Sequence, residues 1–262
     1  MLTAAVGGAA SVAWRPSARA DAATERPELG TAFAKEGVVG TFALYDVQKD
    51  ALTLVEPRRA AMRYVPASTF KIANSVIALE TGAVKDENEV IPYGGKPQPF
   101  RTWEKDMSMR EAIAISNAAI YQEIARRVGL QRYRVWLDRL NYGNGQTGEA
   151  VDTFWLDGPL EISAIEQARF VAQLAQNRLP ASDRSQRIVR DIIRLEQRGG
   201  RTLYGKTGWR FSSTPQLGWW TGWVDDGGKI STFSLNIDMP SPNDAAKRVA
   251  IGKHLLGELA VF

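Results

Sequence analysis

Apolar and polar residues alternate near both ends of the chain, whereas in the middle the apolar positions recur three and four apart. Residues 38–46 (Val38-Val39-Gly40-Thr41-Phe42-Ala43-Leu44-Tyr45-Asp46) predict a strand, and 52–55 its hairpin partner across Gln48-Lys49-Asp50. Segments 68–80, 109–115, 119–128, 131–140, 164–178 and 184–197 carry helical spacing. Two of those starts have capping boxes, Ser108 with Glu111 and Ser163 with Glu166. A capping box explains each glutamate structurally, so neither is assigned chemistry. The alternation returns in 202–206, 216–224 and 230–238, which predict strands rich in Trp, Phe, Ile and Thr. Asp225-Asp226-Gly227-Gly228 supplies the turn between the last two, and 244–259 predicts a closing helix.

This pattern implies an α+β fold, an antiparallel sheet flanked by terminal helices together with an all-helical lobe. Residues 21–60 and 200–262 form the mixed sheet-and-helix lobe, and 61–199 the mainly helical one. The chain leaves the sheet lobe and returns to it, so the two lobes share an interface, a favoured place for a substrate cleft. Ahead of them, 2–13 is a run of small and apolar residues, and Ala18-Arg19-Ala20 has the form of a signal-peptidase site. Residues 1–20 therefore read as a candidate export segment. A basic n-region is missing and Trp14-Arg15-Pro16 interrupts the approach, which marks either an atypical signal or a misplaced start codon. The apolar run is too short to span a bilayer as a helix, and no later segment is long enough.

Composition narrows the chemistry by exclusion. With 262 residues, 44% of them hydrophobic, the chain can bury a substantial core. The 33 basic and 29 acidic side chains leave +4, and the basic residues are scattered as on solvated helix faces, so no nucleic-acid partner is expected. Having no cysteine rules out disulfides, thiolate nucleophiles and thiolate metal sites. A single histidine, His254, rules out a multi-histidine metal centre, and a Ser-His-Asp triad would have to use it. Its place in a C-terminal helical pattern reads as structural.

Pro66-Ala67-Ser68-Thr69-Phe70-Lys71 is the strongest local motif. Serine and lysine three apart at a helix start share one face. The hydroxyl is a poor nucleophile until a neighbouring base takes its proton, and lysine can be that base only when unprotonated. Burial among apolar groups such as Phe70, Ile72 and Trp155 pushes it that way, and the helix N-terminus adds N–H groups near Ser68. Alone, S-x-x-K is common by chance. Lys206-Thr207-Gly208, expected at the end of a late strand and followed by Trp209, changes that. Lysine and threonine on a sheet edge can meet a carboxylate or a developing anion, and glycine lets the backbone approach. The two motifs in this order match the penicillin-recognising serine enzymes.

Further stretches make the resemblance specific: Tyr142-Gly143-Asn144, Asp152-Thr153-Phe154-Trp155-Leu156, Leu160-Glu161-Ile162-Ser163-Ala164, Tyr204 to Trp209, and Gly218-Trp219-Trp220-Thr221-Gly222-Trp223-Val224. From about Val38 to the final helix the chain resembles the class D, or oxacillinase-type, serine β-lactamases. The resemblance implies that Ser68 is the acylated nucleophile and that Lys71, carboxylated by carbon dioxide, is the general base for acylation and deacylation. Trp155 would donate its indole N–H to that carboxylate, since a buried Trp needs an acceptor. Ser116 would relay a proton to the departing ring nitrogen. Backbone N–H groups of Ser68 and Trp209 would form the oxyanion hole, worth about 3–4 kcal/mol per donor. Lys206, Thr207, Gly208, Trp209 and Arg248 would bind substrate, with Lys206, Thr207 and Arg248 on its carboxylate. Arg248 lies nine residues after Met239, where the family places this arginine. Tyr142-Gly143-Asn144 would shape the cleft wall. The expected partner is a small-molecule β-lactam. No metal or cofactor is expected beyond carbon dioxide or bicarbonate for Lys71, and the expected location is the periplasm of a Gram-negative bacterium. The rival readings are a β-lactam sensor that stays acylated and a peptidoglycan carboxypeptidase or transpeptidase.

One position departs from the family pattern. Its second motif is serine, any residue, then valine, and here Ser116-Asn117-Ala118 stands. The serine is kept, but two methyl groups beside the expected carboxylated lysine are gone, which alters carbon dioxide retention or water access. Turnover by Ala118→Val and by the parent is therefore expected to depend differently on bicarbonate. Superimposable bicarbonate titrations would refute this.

Overall fold

The computed structural model describes residues 22–262, and the candidate export segment, 1–20, lies outside them. Seven strands form one sheet in the order β1-β3-β2-β11-β10-β9-β8. They are β1 (Ala22–Glu25), β2 (Gly40–Asp46), β3 (Ala51–Val55), β8 (Arg194–Arg198), β9 (Arg201–Arg210), β10 (Gln216–Asp226) and β11 (Lys229–Met239). Two short ladders stand apart, β4 (Arg63–Tyr64) with β7 (Ile162–Ser163) and β5 (Val90–Ile91) with β6 (Met107–Ser108). The helices are α1 (Thr31–Lys35), α2 (Pro57–Ala61), α3 (Lys71–Glu80), α4 (Met109–Ala114), α5 (Ala118–Val128), α6 (Leu130–Arg139), α7 (Ala164–Ala175), α8 (Asp183–Ile192) and α9 (Lys247–Glu258). The α+β architecture is the one the patterning implied. Every sheet pair is antiparallel except β1 with β3, a parallel edge that the polar lead did not announce.

Alternation along β10 sorts its tryptophans between the two faces of the sheet. Trp220 joins Phe42, Phe233, Ile251 and Leu255 in the layer under α1 and α9, while Trp219 joins Ala43, Leu52 and Ala164 on the opposite face. Trp223, on Trp219's side, reaches the helical cluster. Both faces are therefore covered, and β10 and β11 read as nearly continuous apolar runs. The helix α7 lies within 61–199 in the sequence but packs on β2, β10 and β11, so it is the wall the two regions share. Around α3, whose residues from Lys71 to Leu79 are all buried, the helical cluster draws on α4, α5, α6 and α8. Both capping boxes are closed, with Ser108 and Ser163 each accepting from the N–H of its glutamate and giving its own N–H in return.

Residues 184–197 depart from the single helix expected of them. The helix α8 stops at Ile192, and Arg194–Arg198 forms an edge strand on β9, joined to it by Gly199-Gly200 with φ of 54° and 83°. Helical spacing continues as far as Leu195, but that side chain is 52% exposed and has no core to face. Pairing with β9 satisfies the backbone there, and the Gly-Gly pair was the readable hairpin sign. Among the described residues no helix is long and apolar enough to cross a membrane.

Tyr142-Gly143-Asn144 does not line the cleft, contrary to the expectation. Tyr142 is buried against Phe70 and Phe170, with ring centroids 5.4 and 5.0 Å away. Asn144 accepts from the N–H of Glu161 at 3.0 Å and donates to the carbonyl of Pro159 at 2.9 Å, which pins the segment that follows Trp155. Gly143 sits at φ +56°, and a Cβ there would run into the Glu161 carbonyl. The triplet thus braces the back of the site. Gly143→Ala is expected to destabilise the protein by roughly 2–3 kcal/mol or more, from the left-handed φ and the overlap together. Denaturant unfolding checks this, and an unchanged midpoint would remove the brace.

Candidate active site

The turn before α3 presents the motif serine. Ala67 takes φ +48°, a 3₁₀ turn runs over Ala67–Phe70, and α3 begins at Lys71. Lys71 Nζ donates to Ser68 Oγ at 2.6 Å. Ser68 keeps 8% of its surface exposed and Lys71 none. The ring of Tyr121 lies 5.2 Å from Nζ. Burial pushes the Lys71 amine well below the ordinary lysine range, and the nearby Lys206 adds to this. A neutral amine can accept as well as donate, so the same contact can carry the Ser68 proton to nitrogen.

Three elements converge on this pair. Ser116 lies between α4 and α5 at φ +61°, where the N–H of Asn117 bonds the carbonyl of Ala112 at 2.8 Å and the N–H of Ser116 that of Ile113 at 3.2 Å. That pattern closes a helix with a left-handed residue, a position that ordinarily selects glycine. A serine held there is strained, which suits a side chain needed at the spot. Its Oγ accepts from Lys206 Nζ at 2.9 Å. Asn117 is turned elsewhere: its Oδ1 caps α5 at Ile120 and its Nδ2 donates to the Trp103 carbonyl. Ala118 is the first, half-buried residue of α5.

The strand β9 brings Lys206, Thr207, Gly208 and Trp209. These residues do not end the strand, as was expected, because β10 pairs onward through Trp209–Gly218 and Arg210–Leu217. A Cβ on Gly208 would meet the Pro66 carbonyl at 2.9 Å and the Thr69 methyl at 3.1 Å, so this edge lies directly on the Ser68 turn. Lys206 also donates to the Thr207 carbonyl at 3.0 Å. Burial, reinforced by Arg248, lowers its amine to about 7. Arg248, near the start of α9, donates to the carbonyls of Gly208 and Ala245 and stacks over the Trp209 ring at 5.4 Å. Burial lowers it to about 10. None of the three has a carboxylate partner among the described residues. A site built this way attracts an anion.

A cavity of about 230 Å³ opens over Ser116, Thr207, Gly208, Trp209 and Arg248, walled by Phe100, Thr102, Trp103, Ile115 and Phe211. Ser68 and Lys71 are not in its wall, but Gly208, which is, abuts Pro66 and Thr69 on either side of Ser68 along the chain. Behind them Trp155 packs on Phe70 at 5.6 Å and on Phe154 at 5.0 Å, and its buried Nε1 has no hydrogen-bond partner among the described residues. Glu166 pairs with Arg63, apart from these groups, and His254 is exposed on α9. The sequence reading missed Tyr121, the ring beside Lys71, because nothing local separates it from any other core tyrosine.

The penicillin binding protein transpeptidase domain family matches residues 40–257. The chain is 37% identical to β-lactamase OXA-5 of Pseudomonas aeruginosa over 96% of its own length and 95% of that protein's. It is 38% identical to β-lactamase OXA-48 of Klebsiella pneumoniae, over 86% and 84%. The crystal structure of FUS-1 (OXA-85), a class D β-lactamase from Fusobacterium nucleatum subsp. polymorphum, superposes with a TM-score of 0.88 at 36% identity, covering 91% of this chain and 100% of that one.

Ser116→Gly separates strain from chemistry. Relief of the left-handed serine is expected to stabilise the protein by about 1 kcal/mol. Loss of the hydroxyl is expected to slow turnover by ~10²-fold or more. Thermal unfolding and steady-state kinetics on one preparation check both, and a variant that lost stability would mean Ser116 is not strained.

Proposed function

Because the chain belongs to the class D serine β-lactamases, hydrolases of the β-lactam ring, we propose that it opens penicillin-type antibiotics through an ester on Ser68 and so confers resistance to them. The observation that carries this reading is the contact of Lys71 with Ser68 at 2.6 Å, with Lys71 wholly buried and without a counter-charge among the described residues. The amine is held neutral at the atom that must lose a proton.

In acylation Ser68 Oγ attacks the lactam carbonyl while Lys71 takes its proton. Negative charge develops on the carbonyl oxygen, and the backbone N–H groups of Ser68 and Trp209 are the donors assigned to it. The C–N bond of the ring then breaks. Ser116 Oγ gives its proton to the departing nitrogen and takes one from Lys206, its donor at 2.9 Å, and Lys206 recovers the proton that Lys71 took from Ser68. Lys206, Thr207 and Arg248 hold the drug's carboxylate, which supplies the anion these cations lack. In deacylation water gives a proton to the Lys71 side chain and attacks the ester carbonyl, the bond to Ser68 Oγ breaks, and the proton returns to Ser68 as the ring-opened acid leaves.

Carboxylation suits Lys71 on two grounds. Carbon dioxide adds to a neutral amine, forming an N–C bond and releasing a proton, and burial keeps this amine neutral. The Trp155 indole N–H is buried without an acceptor. Once formed, the carboxylate would supply a base stronger than water in both half-reactions. Export to the periplasm, expected from residues 1–20, belongs to the same proposal.

Repeated turnover of a chromogenic cephalosporin is the expected result, abolished in Ser68→Ala. A single stoichiometric burst would point instead to a sensor or a penicillin-binding protein. Lys206, lowered to about 7, is cationic below that pH and neutral above it. Grip on the drug's carboxylate is therefore expected to weaken as pH rises, so kcat/KM falls above about pH 7, by up to about tenfold per unit. Lys206→Arg keeps the charge and should flatten that limb, and an unaltered limb would exclude Lys206 as its source.

A further inference from the structure

Two buried donors on the elements around Lys71 have no hydrogen-bond partner among the described residues. One is Trp155 Nε1 and the other is Asn74 Nδ2. Buried N–H groups without partners are rare in folded proteins, so two in one cluster call for a common acceptor. Asn74 is wholly buried and lies three residues after Lys71 and four after Phe70 on α3, between them on the helix surface. Trp155 packs on the same flank, through Phe70 at 5.6 Å.

The amide of Asn74 is fixed in orientation. Tyr133 OH donates to its Oδ1 at 2.6 Å, which leaves Nδ2 as the free end. Tyr133 is itself held by Phe70 at 6.1 Å and Phe154 at 5.1 Å, and Phe154 packs on Trp155 at 5.0 Å. The other flank of Lys71 has no such vacancy. There Ser75 Oγ donates to the Lys71 carbonyl at 2.7 Å and bonds Tyr121 OH at 2.8 Å. The other buried side-chain donors without a partner among the described residues, on Arg210, Ser213 and Asn236, belong to other parts of the fold and not to α3 or the aromatic cluster around Phe70.

We infer that Asn74 Nδ2 is a second donor, beside Trp155 Nε1, to the carboxylate formed when Lys71 takes up carbon dioxide, and that Tyr133 is the positioning residue that aims it. This rests on the reading of Lys71 as carboxylated. The reaction balances as amine plus carbon dioxide giving a carboxylated amine and one released proton. Its product has two oxygens for the two donors, and a buried anion persists only where such bonds meet it.

The test is the uptake of ¹³C-bicarbonate by the full chain, read as the carbamate carbon signal in NMR against bicarbonate concentration. Asn74→Leu removes the donor at similar volume, and Tyr133→Phe removes only the orienting hydroxyl. Half-saturation is expected to need roughly ten- to a hundredfold more bicarbonate in Asn74→Leu, as befits one lost bond to a charge, and a smaller excess in Tyr133→Phe. Excess bicarbonate should restore both the signal and turnover, which a merely structural defect would not allow. If Asn74→Leu does not fold, Tyr133→Phe decides alone. A parent that fills while the folded variants fill at the same concentration overturns the role of Asn74 and leaves the carboxylated lysine standing. A parent that shows no carbamate carbon overturns both.

Discussion

Lys71 is enclosed completely, and among the described residues no carboxylate pairs with it, so burial disfavours the protonated amine. Isolating an ionisable group in this way opposes stability, and it persists only where the surroundings enforce it. Here the enforcement is the aromatic packing of Phe70, Phe154, Trp155 and Tyr133 on one side of α3 and Tyr121 on the other. Tyr142-Gly143-Asn144 holds the segment after Trp155 against that packing. The enclosure of the Lys71 contact with Ser68 thus depends on residues outside the wall of the cavity.

A second constraint follows from the first. Lys206 and Arg248 add two more cationic groups beside a lysine that must stay uncharged, and each lowers the proton affinity of the next. Repulsion of this kind is relieved by an anion entering the cleft. The geometry of this region is rigid: Gly208 brings β9 onto the Ser68 turn, and Arg248 ties the start of α9 to the same strand. Strain at Ala67 and Ser116 has the same origin, since both backbones are bent to bring a side chain into that region.

Much of the fold was legible because it follows local periodicity. The spacing of Ser68 and Lys71, the two capping boxes, the long strands and the closing helix each depend on residues within a turn or two. The errors arose where distant pairing overrode a local pattern. Helical spacing through Leu195 gave way to an edge strand because β9 offered hydrogen bonds and no core offered Leu195 a place. The strand bearing Lys206-Thr207-Gly208 ran on because β10 stayed in register beyond it.

By itself the sequence determined which chemical groups exist: one Ser-x-x-Lys motif, no thiol, one histidine, and a family resemblance that names the reaction. Only the tertiary structure decided their state. Whether a lysine is charged depends on what surrounds it from remote parts of the chain, and whether Asn74 or Trp155 lacks a partner depends on every neighbour at once. Burial and hydrogen-bond satisfaction are properties of the packed whole, and a linear pattern carries no record of them.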